Sequence, residues 1–326
     1  MRLPVLLGTL LASLAVAAPC PGQPPQLPAL SQLEPLPPAP APTIESAPAA
    51  GPPVEYFDLD AWLATNGGPT VPREGWSWQI LPDGIIYKAY LANPKESRLS
   101  TLIFSEQDDD ALWDSTLGGR IGLLRYGTCD AAWPQGWQID IEGSAQVRLD
   151  PDEDLDLRSV DYRIGVPLTY GYGRHRLKLA YYHLCSHLGD EFLLDNLLYP
   201  RLNYVRDVLS LGYAYYVTDN VRLYAEMGWG FYTDVSEPWE FLFGAEYAPS
   251  QPTGIRGAPF AAIHGHLRQE IDFSGNLVVQ AGWAWRGDTS SHLLRTGVHY
   301  YNGLSDQYSF YQYFEQQIGF GVWYDF

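Results

Sequence analysis

Long stretches of this chain alternate strictly between apolar and polar residues, and they run for ten residues or more. In "NVRLYAEMGWGFYTD" the residues Leu223, Ala225, Met227, Trp229 and Phe231 share one face, opposite Tyr224, Glu226, Gly228, Gly230 and Tyr232. In "GWQIDIEGSAQVRLD" Ile139, Ile141, Ala145, Val147 and Leu149 oppose Gln138, Asp140, Glu142, Ser144, Gln146 and Arg148. "LVVQAGWAWRGD" behaves alike, with Val279, Ala281, Trp283 and Trp285 on one side. A period of two is the signature of a β-strand with two different surroundings. The segments are long enough for tilted strands to cross a bilayer. Aromatic residues make up 14% of the chain, with 23 Tyr and 11 Trp. That composition suits a sheet whose outer face meets lipid and its interfaces. Such a sheet must close, because an open edge in hydrocarbon leaves backbone groups without partners.

The ends of the chain bear on its location. Met1 and Arg2 precede the apolar run Leu3 to Ala18, which closes on small residues. One positive charge, a short apolar core and an A-x-A-like end predict a secretory signal peptide over 1–18. Residues 19–53 are rich in Pro and Ala and predict a stiff spacer without a core. Residues 54–96 are expected as a periplasmic N-terminal segment, and 97–326 as the barrel. The final "EQQIGFGVWYDF" puts Ile318, Phe320, Val322, Tyr324 and Phe326 on one face. That ending resembles the C-terminal insertion signal of bacterial outer-membrane barrels. The resemblance implies outer-membrane location, with the barrel-assembly machinery engaged through Phe326.

Counting backward from Phe326 gives about twelve antiparallel strands, with ten as the alternative should the first fail. They lie near 97–104, 117–125, 135–149, 158–171, 175–187, 203–217, 220–232, 239–248, 258–270, 276–286, 292–301 and 315–326. An even count returns the N-terminus to the periplasm. The tight turns 172–174 and 218–220 then fall on that side. The connections "SEQDDDALWDST", "GDEFLLDNLLYPRL" and "NGLSDQYSFYQYF" fall outside. The fold class is therefore an all-β transmembrane antiparallel barrel.

The second face of each strand defines the lumen: Glu226, Glu246, His264, His266, Arg268, Glu270, Arg286, Arg295, His299 and Glu315. His264 and His266 share a face without a third ligand, so no metal site is expected. Carboxylates and arginines are expected to neutralise one another in a barrel with little free lumen. Asp108 to Asp110, and Asp150, Asp152, Glu153, Asp154 and Asp156, fall in external loops. They read as solvated charge, with divalent-cation bridging to anionic lipid head groups as the alternative. With 38 Asp+Glu against 20 Lys+Arg and a net charge of −18, no basic stripe exists for nucleic acid. Outer-membrane lipids are the expected partners, and no oligomeric state is implied. Cys129 and Cys185 fall at opposite ends of the barrel and are not expected to bridge.

One stretch carries candidate chemistry. "YYHLCSHLGDEF" places His183, Cys185 and His187 at alternate positions near the outer end of a strand. A hairpin symmetric about residue 195 sets His183 against Asp207 and His187 against Asn203, all on the lipid side. The pieces "HLCSH" and "RLNY" resemble the outer-membrane phospholipase A and lipid A deacylase barrels. Those carry a His-x-Ser pair at the outer-leaflet boundary, completed by an Asn or acidic residue. The resemblance implies His183 as base, Cys185 at the nucleophile position and Asn203 or Asp207 orienting the imidazole. It would bring calcium into consideration; otherwise no cofactor is expected. Cys185 replaces the serine, and Ser186 points the other way. A thiol attacks an ester only when deprotonated, which requires His183 to be close. A wider resemblance covers "LPDGIIYKAYLANPKESRLS", "SHLGDEF" and the terminal pattern. These look like a family of uncharacterised bacterial outer-membrane proteins known by a domain-of-unknown-function label, over most of 76–326. That resemblance implies location and fold, and no activity. Two functions follow: a structural, adhesive or narrow solute-transport barrel, and, as the alternative, a lipid acyl hydrolase.

Overall fold

The computed structural model describes residues 75–107, 111–288 and 291–326. The expected signal peptide, the Pro-rich spacer and Asp108 to Asp110 lie outside the described residues. A short first strand, β1 (Ser77–Ile80), precedes twelve longer ones: β2 (Leu99–Glu106), β3 (Ala111–Gly127), β4 (Gly136–Asp150), β5 (Asp156–Tyr172), β6 (His175–Leu188), β7 (Val205–Thr218), β8 (Val221–Asp234), β9 (Trp239–Tyr247), β10 (Ala258–Arg268), β11 (Ser274–Arg286), β12 (Leu293–Leu304) and β13 (Phe314–Asp325). One helix, α1 (Asp190–Asp195), follows β6. Each of the twelve pairs antiparallel with its sequence neighbours, and β13 pairs with β2, so the sheet closes into a barrel. Closure gives the backbone groups of the wall partners, as a membrane requires.

The alternation read from the sequence is the alternation of the wall. Along β4 the residues Gln138, Asp140 and Glu142 are buried while Trp137, Ile139 and Ile141 are exposed. Large apolar side chains face outward all round, among them Leu117, Ile164, Leu179, Leu211 and Val298. Exposed Trp137, Tyr126 and Tyr213 lie toward the short-turn end, and Trp229, Phe231 and Trp239 toward the other. Two aromatic girdles around an apolar band are what lipid and its interfaces select.

Three segments depart from the reading above. The connection expected over 105–116 is mostly strand, because β3 begins at Ala111. Leu112 is buried, the inward Asp114 pairs with Arg148 at 2.8 Å, and the Trp113 indole donates outward to Thr101 at 2.6 Å. The segment 54–96, expected in the periplasm, is the largest correction within its described part. After β1 the chain turns into the barrel, where Ile85, Ile86, Tyr87, Tyr90, Leu91 and Ala92 are all buried. Finally, the connection before β13 dips inward, burying Tyr308, Ser309 and Phe310 in a single 3₁₀ turn.

The inward segment is a plug bonded to the wall on many sides. Arg125 of β3 donates to the Asp83 and Gly84 carbonyls at 2.8 and 2.7 Å. Arg222 of β8 donates to Lys88 and Ala89 at 2.8 and 2.6 Å, and Arg295 of β12 to Leu91 at 3.1 Å. Glu246 of β9 accepts from the Leu91 amide at 3.1 Å, and Lys95 pairs with Asp161 of β5 at 2.6 Å. Guanidinium groups thus satisfy peptide carbonyls that have no strand to pair with. The plug rejoins the wall through β2. β1 and β2 occupy one slot beside β3, with partners at 124–127 and 111–117 respectively. In the interval the Phe326 ring lies over Gly119, where a Cβ would stand 3.2 Å from it. A side chain at position 119 would press on that ring.

Candidate active site at the lipid-facing rim

β6 and β7 pair with His183 opposite Asp207 and Cys185 opposite Val205. The hairpin register is therefore the symmetric one, and it follows from outward Leu177, Leu179 and Leu209, Leu211 on neighbouring strands. His183, Cys185 and His187 share the outward face, while Ser186 points in and bonds Ser309 at 2.7 Å.

His183 Nδ1 lies 2.9 Å from Asp207 Oδ1. The Tyr181 hydroxyl donates to the same oxygen at 2.7 Å. A carboxylate only accepts, so Nδ1 carries the proton, and the neutral ring would keep its electron pair on Nε2. That tautomer is the one a general base needs. A β-bulge in the β7–β8 ladder falls between Asp207 and Val208, at the carboxylate itself. Bulges re-aim side chains, and this one sits where aim matters. Both partners stand on the outward face of the wall, with His183 about a third exposed and Asp207 less so.

Not every candidate joins. The Asn203 amide donates to Asp234 at 2.7 Å and not to an imidazole, because β7 begins only at Val205 and Asn203 precedes the ladder. His187 lies against the Tyr162 ring, with centroids 6.1 Å apart. Cys185 is a free thiol, half-buried between Tyr162 of β5 and Val205 of β7. Among the described residues no hydrogen bond joins it to His183; the two stand one outward position apart. Tyr181 was not anticipated, although its place two residues before His183 on the same face was readable.

The lumen residues lie apart from this site. His264 bonds the Tyr224 hydroxyl at 2.9 Å, and His266 bonds Glu240 at 3.0 Å, so the two histidines turn to different partners. Glu226 holds Lys178 and Tyr90, both at 2.6 Å, and Glu246 holds Arg222 at 2.6 Å. Glu315 holds Arg148 at 2.8 Å, and Arg295 holds Asp325 at 2.7 Å. Arg268 lies 3.6 Å from Glu270, His299 meets Gln280 at 3.2 Å, and Arg286 donates to the Pro249 and Ser291 carbonyls. Among the described residues, the group that brings three acidic ligand atoms together is Glu153, Asp156 and Asp195, at the long-loop end.

A closed twelve-stranded barrel with an apolar exterior, a polar plugged interior and aromatic girdles defines a transmembrane β-barrel of the outer-membrane type. Residues 74–326 match the family described as "Protein of unknown function (DUF1207)", and the chain belongs to that family. No curated protein sequence matches it. Among solved structures it is similar to the outer membrane phospholipase A from Escherichia coli, at 10% identity and TM-score 0.45, over 72% of this chain and 91% of that one. The Salmonella typhi outer membrane phospholipase dimer with bound calcium gives 11% and 0.45, over 71% and 93%. The KdgM porin gives 10% and 0.38, over 70% and 99%. These likenesses concern the fold alone.

Proposed function

We propose that this is an outer-membrane barrel, its N-terminus in the periplasm, that works on lipid at its outer surface and not on solute through its lumen. The reaction is hydrolysis of acyl esters. The observation that carries the reading is the outward His183–Asp207 pair at 2.9 Å, with the Cys185 thiol on the same face. His183 Nε2 takes the thiol proton, and the Cys185 thiolate attacks the ester carbonyl carbon. As the carbon–oxygen bond breaks, the imidazolium returns its proton to the departing alcohol. A water activated by His183 then cleaves the thioester, releasing the fatty acid and restoring the thiol. Asp207 steadies the imidazolium in both halves, and the apolar strands beside it offer the acyl chain a lipid-like approach. A hydrogen bond between thiol and imidazole would form as substrate closes the gap, since such contacts tighten on binding.

The test is fatty-acid release from phosphatidylcholine micelles by the refolded full chain, with and without calcium. His183→Ala should abolish release while the barrel keeps its heat-modifiable mobility. Release that is absent in the native-fold protein under both conditions would end the reading. The plug supports what would then remain, a sealed structural barrel.

A further inference from the structure

Through most of the lumen each cation meets a carboxylate, as in Lys95–Asp161, Lys178–Glu226 and Arg120–Asp140. The short-turn mouth breaks this pattern. Lys88 donates to the Ala132 carbonyl at 3.1 Å, and Arg176 to the Gly173 and His175 carbonyls at 2.8 and 2.9 Å. Arg286 donates to the Pro249 and Ser291 carbonyls. Among the described residues none of the three has a carboxylate within ion-pair distance. Carbonyls carry no net charge, so these cations have only carboxylates beyond contact, Asp130 for Lys88 and Asp325 and Glu246 for Arg286.

These cations surround a cavity of about 40 Å³, lined by Lys88, Arg222, Arg286, Ser291, Trp133 and Tyr216. Arg176 backs it, stacked at 4.6 Å on Trp133 and 5.7 Å on Tyr216. The acidic groups in the lining are otherwise engaged or exposed. Glu246 is held by Arg222 and the Leu91 amide, Asp325 by Arg295 and Arg98, and Asp219 faces solvent. Three buried polar atoms in the lining, Ser291 Oγ, Arg222 Nε and Asp325 Oδ1, have no hydrogen-bond partner among the described residues. Asp325 Oδ1 still faces the Arg98 guanidinium at 3.0 Å, which leaves the Ser291 and Arg222 donors as the pair without a counterpart. A buried donor left unmet is costly, so such a pair marks a place where a partner belongs. Burial, with Arg286, Arg222 and Arg176 around it, pulls the Lys88 ammonium well below the usual lysine range. An anion in the cavity would restore the charge that this crowding disfavours.

We infer that the short-turn mouth holds a binding site for a phosphate group, seated between Lys88, Arg286 and Ser291 beneath the plug. The cavity has room for about three waters. Arginine and lysine donors with a hydroxyl match its oxygens. The same chemistry is offered by inorganic phosphate and by the head group of a phospholipid in the adjoining leaflet.

Titration calorimetry on the refolded full chain in a neutral detergent tests this, at pH 7 and constant chloride. Inorganic phosphate is one ligand and dihexanoyl phosphatidic acid the other. Saturable binding of either supports the site, and which of them binds assigns the source. Arg286→Gln should weaken binding at least tenfold and Ser291→Ala a few-fold, with heat-modifiable mobility retained. If Arg286→Gln fails to fold, Ser291→Ala and Lys88→Met decide. Native barrel that takes up neither ligand overturns the inference. So does binding that these variants leave unchanged.

Discussion

His266 and His183 make nearly the same bond in opposite surroundings. Inside the barrel, His266 meets Glu240 at 3.0 Å, and Arg206 and the Tyr182 hydroxyl close on the same carboxylate. Outside, His183 meets Asp207 at 2.9 Å on the same outward face as a free thiol. Within the lumen Glu240 is buried and shared among three partners, so that pair holds the wall and its contents together. At the rim the imidazole stands about a third exposed on the outer face, while His266 is buried, and that access is what separates the two pairs. A histidine–carboxylate pair is therefore no marker of chemistry by itself; what surrounds it decides.

The sharpest way to break this comparison is to remove one partner on each side. Glu240→Ala would leave the Arg206 and His266 charges buried without their acid. We expect a loss of about 3–5 kcal/mol in urea unfolding from lipid vesicles. Asp207→Ala at the exposed rim should cost at most about 1 kcal/mol in the same assay. Equal losses would erase the distinction between the two pairs. In the activity assay the order reverses: His183→Ala should lower ester hydrolysis by about 10²-fold or more, while His266→Gln in a folded barrel leaves it unchanged. Tyr181→Phe removes one donor to Asp207 and should cost about 1 kcal/mol, or roughly a five-fold drop in rate. Its signature is a shift in the pH–rate profile, because the Asp207 charge that steadies His183 is then less well fixed.

The plug sharpens the same contrast. Planar-bilayer recording of the intact chain should show no steady conductance. Replacing residues 83–96 by a Gly/Ser linker should give discrete openings, since the twelve-stranded wall remains. Openings of equal size before and after excision would mean that the lumen is a path in its own right.

The wall was legible in the sequence, and its contents were not. Alternation fixes which side chains turn inward, so strands, register and the His183–Asp207 pairing could be read from residues such as Leu177, Leu179, Leu209 and Leu211. Segment 83–98 offers no such period. Its backbone is satisfied by Arg125, Arg222 and Arg295, far away in sequence, and a contact of that kind leaves no local pattern. Asn203 misled because it stands just before β7, where register no longer governs direction. Tyr308 and Phe310 misled likewise: polar, loop-like surroundings concealed an inward turn.

Intact-protein mass spectrometry of the refolded chain, quenched during turnover of a phosphatidylcholine ester, reads the rim most directly. The account predicts one acyl group bound as a thioester at Cys185, lost on hydroxylamine treatment and absent in Cys185→Ala. A folded, lipid-saturated barrel that never carries an acyl group at that thiol would contradict it.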